Sequence, residues 1–452
     1  TRVWAWQAGL KGWSEGPKKI ILGWGPETFN LPFSKYFNPN FYVGPGSETL
    51  FDRAHNMFVE ILVTMGVVGL IAYVYIFVSA FKELTRLRHS KDFEMALYGI
   101  GLTSLLISYM IHNSFIFDTS ANLLVFFTVL GFISYLSNGH QELKHIQIRH
   151  KLGNYILILI LMLVGSSILI YKTNILQSKS NFATTRAIIR SWGGDFDGAV
   201  EKFKESLSYN VPGKYEYRHR YGQYLVNSGA SRKEEDVQEA YRFAIEEIQK
   251  NADENPGDYL PLLYLSRLNI LLGKEQGPDS EYNDIALEHS LSALEISPTF
   301  IRTYFEVAQG YLNKKDYEKA SEYFQKAIEL NPGAAVSYWY TGVTKIESGD
   351  KSGVEFLNEA IERGYSPSEN DYLRIIALYV EEEDFVNIAA TYEKLIGSSP
   401  SNPQYYASLA VAYANIGLIN EAVQAAQTAG EIDPSFKAEA DAFIQSLLDS
   451  QK

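Results

Sequence analysis

Four stretches of the chain, roughly 61–81, 95–117, 119–137 and 152–171, are apolar on every side and nearly free of charge. A helix that is apolar all round is surrounded by protein or by lipid, and about 20 such residues cross a bilayer. Four in close succession predict four membrane-spanning helices. From about residue 183 the pattern changes, and apolar residues recur at three- and four-residue intervals, as on helices with one buried face. The clearest stretch is "TYFEVAQGYLNKKDYEKASEYFQKAIELNP", in which Tyr304, Ala308 and Tyr311 share one helical face and Ala320, Phe324 and Ala327 the next. A turn at Asn331–Pro332 ends the unit. Prolines recur at Pro298, Pro332, Pro367, Pro400 and Pro434, with gaps of 34, 35, 33 and 34. Small residues at fixed places let paired helices approach closely, and the proline stops the second helix.

This period and pattern closely resemble the tetratricopeptide repeat. About seven units are expected, with longer inserts in the early ones, such as "GGDFDGAVEKFKESL" and "DIALEHSLSALEISP". Residues 435–450 form an amphipathic helix suited to closing a solenoid. The expected fold class is all-α, a transmembrane helix bundle fragment followed by an α-solenoid of tetratricopeptide-like helix pairs. The expected divisions are an extracytoplasmic loop over 1–60, three transmembrane helices over 61–137 and a cytoplasmic linker over 138–151. A fourth transmembrane helix over 152–172 and the repeats over 183–452 follow. The chain begins at Thr1 rather than methionine, and is expected to be a fragment whose upstream part is missing.

Charge adds an orientation. Lys82, Arg86, Arg88 and Lys91 lie between the first two spans, and Lys144, Arg149 and Lys151 between the last two. The middle connection holds Asp118 and no Lys or Arg. Short cationic loops stay cytoplasmic, so residues 1–60 and the repeats are expected outside the cytoplasmic membrane of a bacterium. Residues 1–180 carry 15 Lys/Arg and 10 Asp/Glu, against 25 and 43 in the remainder. An acidic solenoid repels phosphate, which argues against nucleic acid as a partner. The chain has no cysteine, which excludes disulfides, thiolate metal sites and cysteine nucleophiles.

The candidate chemistry sits at the start of the first span, in "LFDRAHNMFVEILVTMGVVGL". Asp52, Arg53, His55, Asn56 and Glu60 crowd the mouth of an apolar helix. The opening segment "TRVWAWQAGLKGWSEGPKKIILGWGPETF" adds Arg2 before an aromatic helix, followed by a Gly/Pro-rich loop. Together these segments resemble the O-antigen ligase family of bacterial envelope glycosyltransferases, which includes related polymerases and protein O-oligosaccharyltransferases. The resemblance rests on Arg2 and Trp4, on the "GWGPETF" loop with Gly23, Trp24, Gly25 and Phe29, and on His55, Asn56, Glu60, Gly66 and Gly69. It covers about 1–80 clearly and the next two spans loosely. It implies a glycan donor on a polyprenyl diphosphate, transfer to a lipid or protein acceptor on the outer face, and no metal or other cofactor. By motif position, Arg2 and Arg53 would hold the diphosphate and His55 would assist the acceptor hydroxyl.

Elementary chemistry points the same way. Arginine offers a fixed, always-charged fork that matches phosphate oxygens. A neutral imidazole can take the proton of an acceptor hydroxyl, worth roughly 10²–10⁴ in rate. Asp52 or Glu60 would orient that imidazole, with Asn56 in support. A different reading makes Arg53 and His55 interfacial anchors and Trp4, Trp6, Trp13 and Trp24 an aromatic belt. His112 and Asn113, near the outer end of the second span, suit an interhelical hydrogen bond by His112, with Asp118 as a loop or cap residue. The repeats are expected to recruit a protein partner. The alternatives to a ligase are a surface polysaccharide polymerase and a non-catalytic membrane-anchored repeat scaffold.

Overall fold

The computed structural model describes residues 1–42, 49–138, 152–229 and 234–449. The cationic segment 139–151 lies outside them. The described residues are helical and contain no strand. They fall into two compact units, one up to Lys314 and one from Lys315.

The first unit begins with α1 (Arg2–Trp13) and two single turns, α2 (Pro17–Leu22) and α3 (Asn30–Lys35). Next come α4 (Met57–Arg88), α5 (Phe93–Asn113) and α6 (Ser120–Asn138), which pack together around Phe77, Leu84, Leu106 and Phe126. The second span ends at Asn113, four residues before its predicted end, and Ser114–Phe117 connect it to the third. The fourth span, α7 (Leu152–Ile170), runs through a π-turn at Tyr171–Ile175 directly into α8 (Leu176–Trp192), so no break separates it from the repeats. Four stretches are long and apolar enough to cross a membrane: Met57–Arg88, Phe93–Asn113, Ser120–Ser137 and Ile156–Trp192. Every residue from 156 to 170 is exposed.

The repeats continue with α9 (Phe196–Ser208), α10 (Lys214–Ser228), α11 (Glu234–Glu254), α12 (Tyr259–Gln276), α13 (Glu281–Ile296) and α14 (Ile301–Asn313). Tyr221, Leu225, Ala244, Ile248, Leu265 and Leu268 form their buried seam. This array does not hang free of the loop region. Tyr259, Leu263, Ala293 and Phe300 share one core with Ala5, Ala8, Phe29, Phe33, Phe37 and Phe51. The Ser297 hydroxyl donates to the Ser34 carbonyl and the Thr299 hydroxyl to the Phe37 carbonyl, each at 2.6 Å. The loop segment and the early repeats therefore lie on one side of any bilayer that the helices cross.

The second unit holds α15 (Tyr317–Leu330), α16 (Ala335–Glu347), α17 (Gly353–Glu362), α18 (Glu369–Glu381), α19 (Phe385–Ser398), α20 (Pro403–Asn415), α21 (Ile419–Ile432) and α22 (Lys437–Asp449). Asp316 and Asp384 cap the second helices of their pairs through backbone amides three residues on, at 3.2 Å each. Ala360, Ala410 and Ala426 sit in its core among Trp339, Ile375 and Leu409, as the small-residue rule requires. Among the described residues α8 and α9, α10 and α11, and α12 and α13 pack as consecutive pairs in the first unit. In the second, α16 and α17, α18 and α19, and α20 and α21 do so, and α22 packs on α21 as the expected closing helix.

Candidate functional site

The mouth of α4 is built on a broken helix. Gly66 has φ 67° and ψ −168°, a conformation open essentially to glycine alone, and it interrupts α4. The break leaves carbonyls of the preceding turn without helical donors, and apolar surroundings make such groups costly. The "GWG" loop answers them. Trp24 N–H donates to the Val63 carbonyl at 3.0 Å and Gly25 N–H to the Thr64 carbonyl at 2.8 Å. Gly23, which ends α2, mirrors Gly66 with φ 72° and ψ −167°. A Cβ at Gly23 would lie 2.3 Å from the Thr64 carbonyl carbon, and one at Gly66 2.3 Å from the Ile21 oxygen. Both glycines permit backbone-to-backbone contact; neither lines a ligand space.

Asn56 caps the helix. Its Oδ1 accepts from Phe58 N–H at 3.0 Å and Val59 N–H at 3.1 Å, and its Nδ2 donates to the Ser114 carbonyl at 2.9 Å. Glu60, buried one turn in, accepts from Ala54 N–H at 2.7 Å. The Trp6 indole donates to the Ala54 carbonyl at 2.6 Å. Ala54 is thus pinned from both sides, and the turn Asp52–Asn56 is rigid.

Arg53 lies between two carboxylates. It forms an ion pair with Glu27, and its Nη1 is 3.6 Å from Glu60 Oε1. Glu27, in the "GWGPETF" loop, is a functional candidate that the sequence reading left out; its acidic type beside the glycines was the available signal. His55 has a left-handed backbone, φ 52°, and Glu27 does too, at 64°. The His55 ring lies 5.7 Å from Phe51 and 5.3 Å from Phe117, with its Nδ1 buried and unbonded among the described residues. Neither Asp52 nor Glu60 orients the imidazole, contrary to expectation. Glu60 is committed to the backbone of Ala54 and to Arg53, and Asp52 is exposed.

The connection Ser114–Phe117 gathers the rest. Arg2 Nη1 donates to the Phe115 carbonyl at 3.0 Å, and the Arg53 guanidinium lies 5.9 Å from the Phe117 ring. Arg2, Arg53, His55 and Asn56 therefore converge on one short turn. Behind it, Asn113 is fully buried and donates to the Tyr73 hydroxyl at 3.2 Å and to Asp118 at 3.1 Å. Tyr109 also donates to Asp118, at 2.7 Å. Asn113, not the exposed His112, makes the interhelical bond, and Asp118 accepts two hydrogen bonds rather than serving only as a cap. Among the described residues no group of His, Asp and Glu is arranged to hold a metal ion.

The tetratricopeptide repeat family model matches residues 301–334. Similar solved structures include a tetratricopeptide repeat protein from Parabacteroides merdae, at 15% identity and TM-score 0.39, covering 60% of this chain and 99% of that one. YrrB, a repeat protein described as having an unusual peptide-binding site, is 18% identical with TM-score 0.32, covering 43% of this chain and 97% of its own. MamA from Desulfovibrio magneticus RS-1 is 19% identical with TM-score 0.31, covering 41% and 94%. No curated protein matches the chain. The family match identifies a tetratricopeptide repeat at residues 301–334, and such repeats stack into solenoids that offer extended protein-binding surfaces.

Proposed function

We propose that the chain is part of a membrane glycosyltransferase of the O-antigen ligase type. It transfers a glycan from a polyprenyl diphosphate to an acceptor at the outer face of the cytoplasmic membrane. The observation that carries this reading is the meeting of Arg2, Arg53 and His55 at the mouth of a broken apolar helix. The cationic Arg86, Arg88 and Lys91 at the opposite end of α4 favour an external Arg53 end.

In this mechanism the diphosphate replaces Glu27 on Arg53. Glu27 is 68% exposed and free to turn into solvent, while the less exposed Arg53 keeps Glu60 beside it. The acceptor oxygen attacks the anomeric carbon, and its proton passes to His55. The bond from the anomeric carbon to the phosphate oxygen breaks, and its electron pair leaves with the polyprenyl diphosphate. Arg2 and Arg53 stabilise that negative charge. Glu60 positions Arg53.

The test is a glycan-transfer assay on the full-length protein in membranes. Arg53→Ala and His55→Ala should each lower turnover by roughly 10²–10³. Unchanged turnover in both refutes the assignment. Product length separates a ligase, which adds one block, from a polymerase. A second reading, a membrane-anchored repeat scaffold, draws on the matched repeat at 301–334. It requires the isolated repeats to capture a partner and the Arg53 turn to be freely replaceable.

A further inference from the structure

Beside the Arg53 turn lies a cleft of about 400 Å³, a volume typical of small-molecule sites. Phe51 and Asp52 line it from the turn, and Tyr215, Glu216 and Gln223 line it from α10 of the repeats. Its floor is built around Asp258. That buried carboxylate accepts from the Tyr215 hydroxyl at 2.5 Å, from Asn30 Nδ2 at 3.5 Å and from Leu260 N–H at 3.0 Å. The hydrogen bonds of Ser297 and Thr299 to the loop backbone hold the two walls together.

The half-buried Tyr215 and His219 rings line it beside planar amide and carboxylate groups, with Phe33, Phe51 and Tyr259 buried behind them. Arg220 pairs with Glu216 at 2.6 Å and donates to Gln223 Oε1 at 3.3 Å, so an anion would meet Asp52 and Asp258 with the one arginine already shared, and a lipid tail would cover these polar groups. A sugar ring matches both features: its C–H face suits aromatic rings, and its vicinal hydroxyls suit planar two-point acceptors and donors. We propose that this cleft, walled jointly by the membrane-proximal turn and the repeats, binds an uncharged sugar unit of the glycan. The binding claim stands on the cleft, and only its placement in a reaction rests on the transferase reading. The repeats then contribute to the substrate site itself, in addition to any partner they recruit.

The probe is an array of neutral and N-acetylated oligosaccharides, applied to the full chain in nanodiscs. Glu216 and Gln223 lie on the accessible face of α10, outside the Arg53 and His55 machinery. Glu216→Ala and Gln223→Ala should each weaken retention about tenfold, the loss expected for one sugar hydrogen bond. Gln223→Trp, which fills the cleft, should abolish it. Retention of no oligosaccharide, equal retention by all variants, or capture of peptides instead would overturn the proposal. In turnover assays, a raised KM for the donor alone assigns the cleft to the donor sugar, and one for the acceptor alone to an acceptor sugar. Sugar binding that Gln223→Trp abolishes, in a protein whose turnover neither Arg53→Ala nor His55→Ala changes, would keep the cleft and refute the assignment of the transferase site.

Discussion

Phe300 is the side chain on which the union of loop and repeats can be tested. It is 2% exposed, and its ring meets Phe37 at 4.9 Å and Tyr259 at 4.8 Å, both edge-on. Truncating a buried phenylalanine to alanine costs about 3–5 kcal/mol. Each edge-on pair is worth about 0.5–1.5 kcal/mol beyond its buried area, which places Phe300→Ala toward the upper part of that range. A loss of about 4 kcal/mol raises the locally open population roughly a thousandfold. Amide hydrogen exchange of the full chain in nanodiscs reads this directly. Segments 30–42 and 259–270 should lose protection together, because they line one core. Ser297→Ala, which removes the shorter of the two hydrogen bonds to the Ser34 carbonyl and leaves the Phe37 N–H, should act in the same direction at about 0.5–1.5 kcal/mol. Exchange that rises in the repeats while segment 30–42 stays protected would refute the shared core, and the loop would then fold without the solenoid.

Two further outcomes follow from the geometry. Gly66→Ala places a Cβ against the Ile21 carbonyl in a glycine-only conformation, and should lower the thermal midpoint in detergent by the equivalent of at least about 3 kcal/mol. Gly101→Ala, where a Cβ meets open space, should leave it unchanged or slightly raised. His219 in α10 is held below its ordinary value of 6.5, chiefly by burial and further by the cations Arg220 and Arg267, with Glu216 opposing. The unfolded chain therefore binds the proton first. Stability should fall as pH drops below about 6.5, and His219→Asn should flatten that slope in a pH series of unfolding curves.

What could be read from the chain alone follows how local the cause is. Uniform apolarity and a 34-residue period are local properties, so the four long apolar helices and the helix-pair repeats were legible. So was the cluster at Arg53, His55, Asn56 and Glu60, whose members lie within two helical turns. The union of loop and repeats was not, because Phe29, Phe33, Phe37 and Phe41, spaced every four residues, mark a buried face without showing what covers it. Phe300 looks in sequence like any other core position of a repeat. Glu27 escaped notice because it reaches Arg53 across 26 residues of chain. His112 and Asn113 were confused for a rotational reason. Neighbouring residues differ by about 100° on a helix, and the packing of α5 on α4 decides which of them turns inward.

The arrangement at the helix mouth also bears on whether Arg53 and His55 serve only to anchor the protein at a lipid surface. Anchoring works through long side chains that reach headgroups from an ordinary helical backbone, and it needs no fixed geometry. Here the backbone itself is constrained. His55 adopts a left-handed conformation that costs a non-glycine residue about 1–3 kcal/mol. The hydrogen bonds of Ala54 to Trp6 and Glu60, and of Asn56 to Ser114, hold it there from both sides. Glu27, the partner of Arg53, carries the same kind of strain. The other left-handed non-glycine residues, Lys315 and Glu383, lie in turns between consecutive repeat helices, where that conformation commonly closes a helix. Three buried or half-buried hydrogen bonds oppose the strain of this turn and fix the backbone from which an imidazole and a guanidinium project. Anchoring needs no such constraint, whereas the proposed transfer would draw on it to align a base and a cation on one bond.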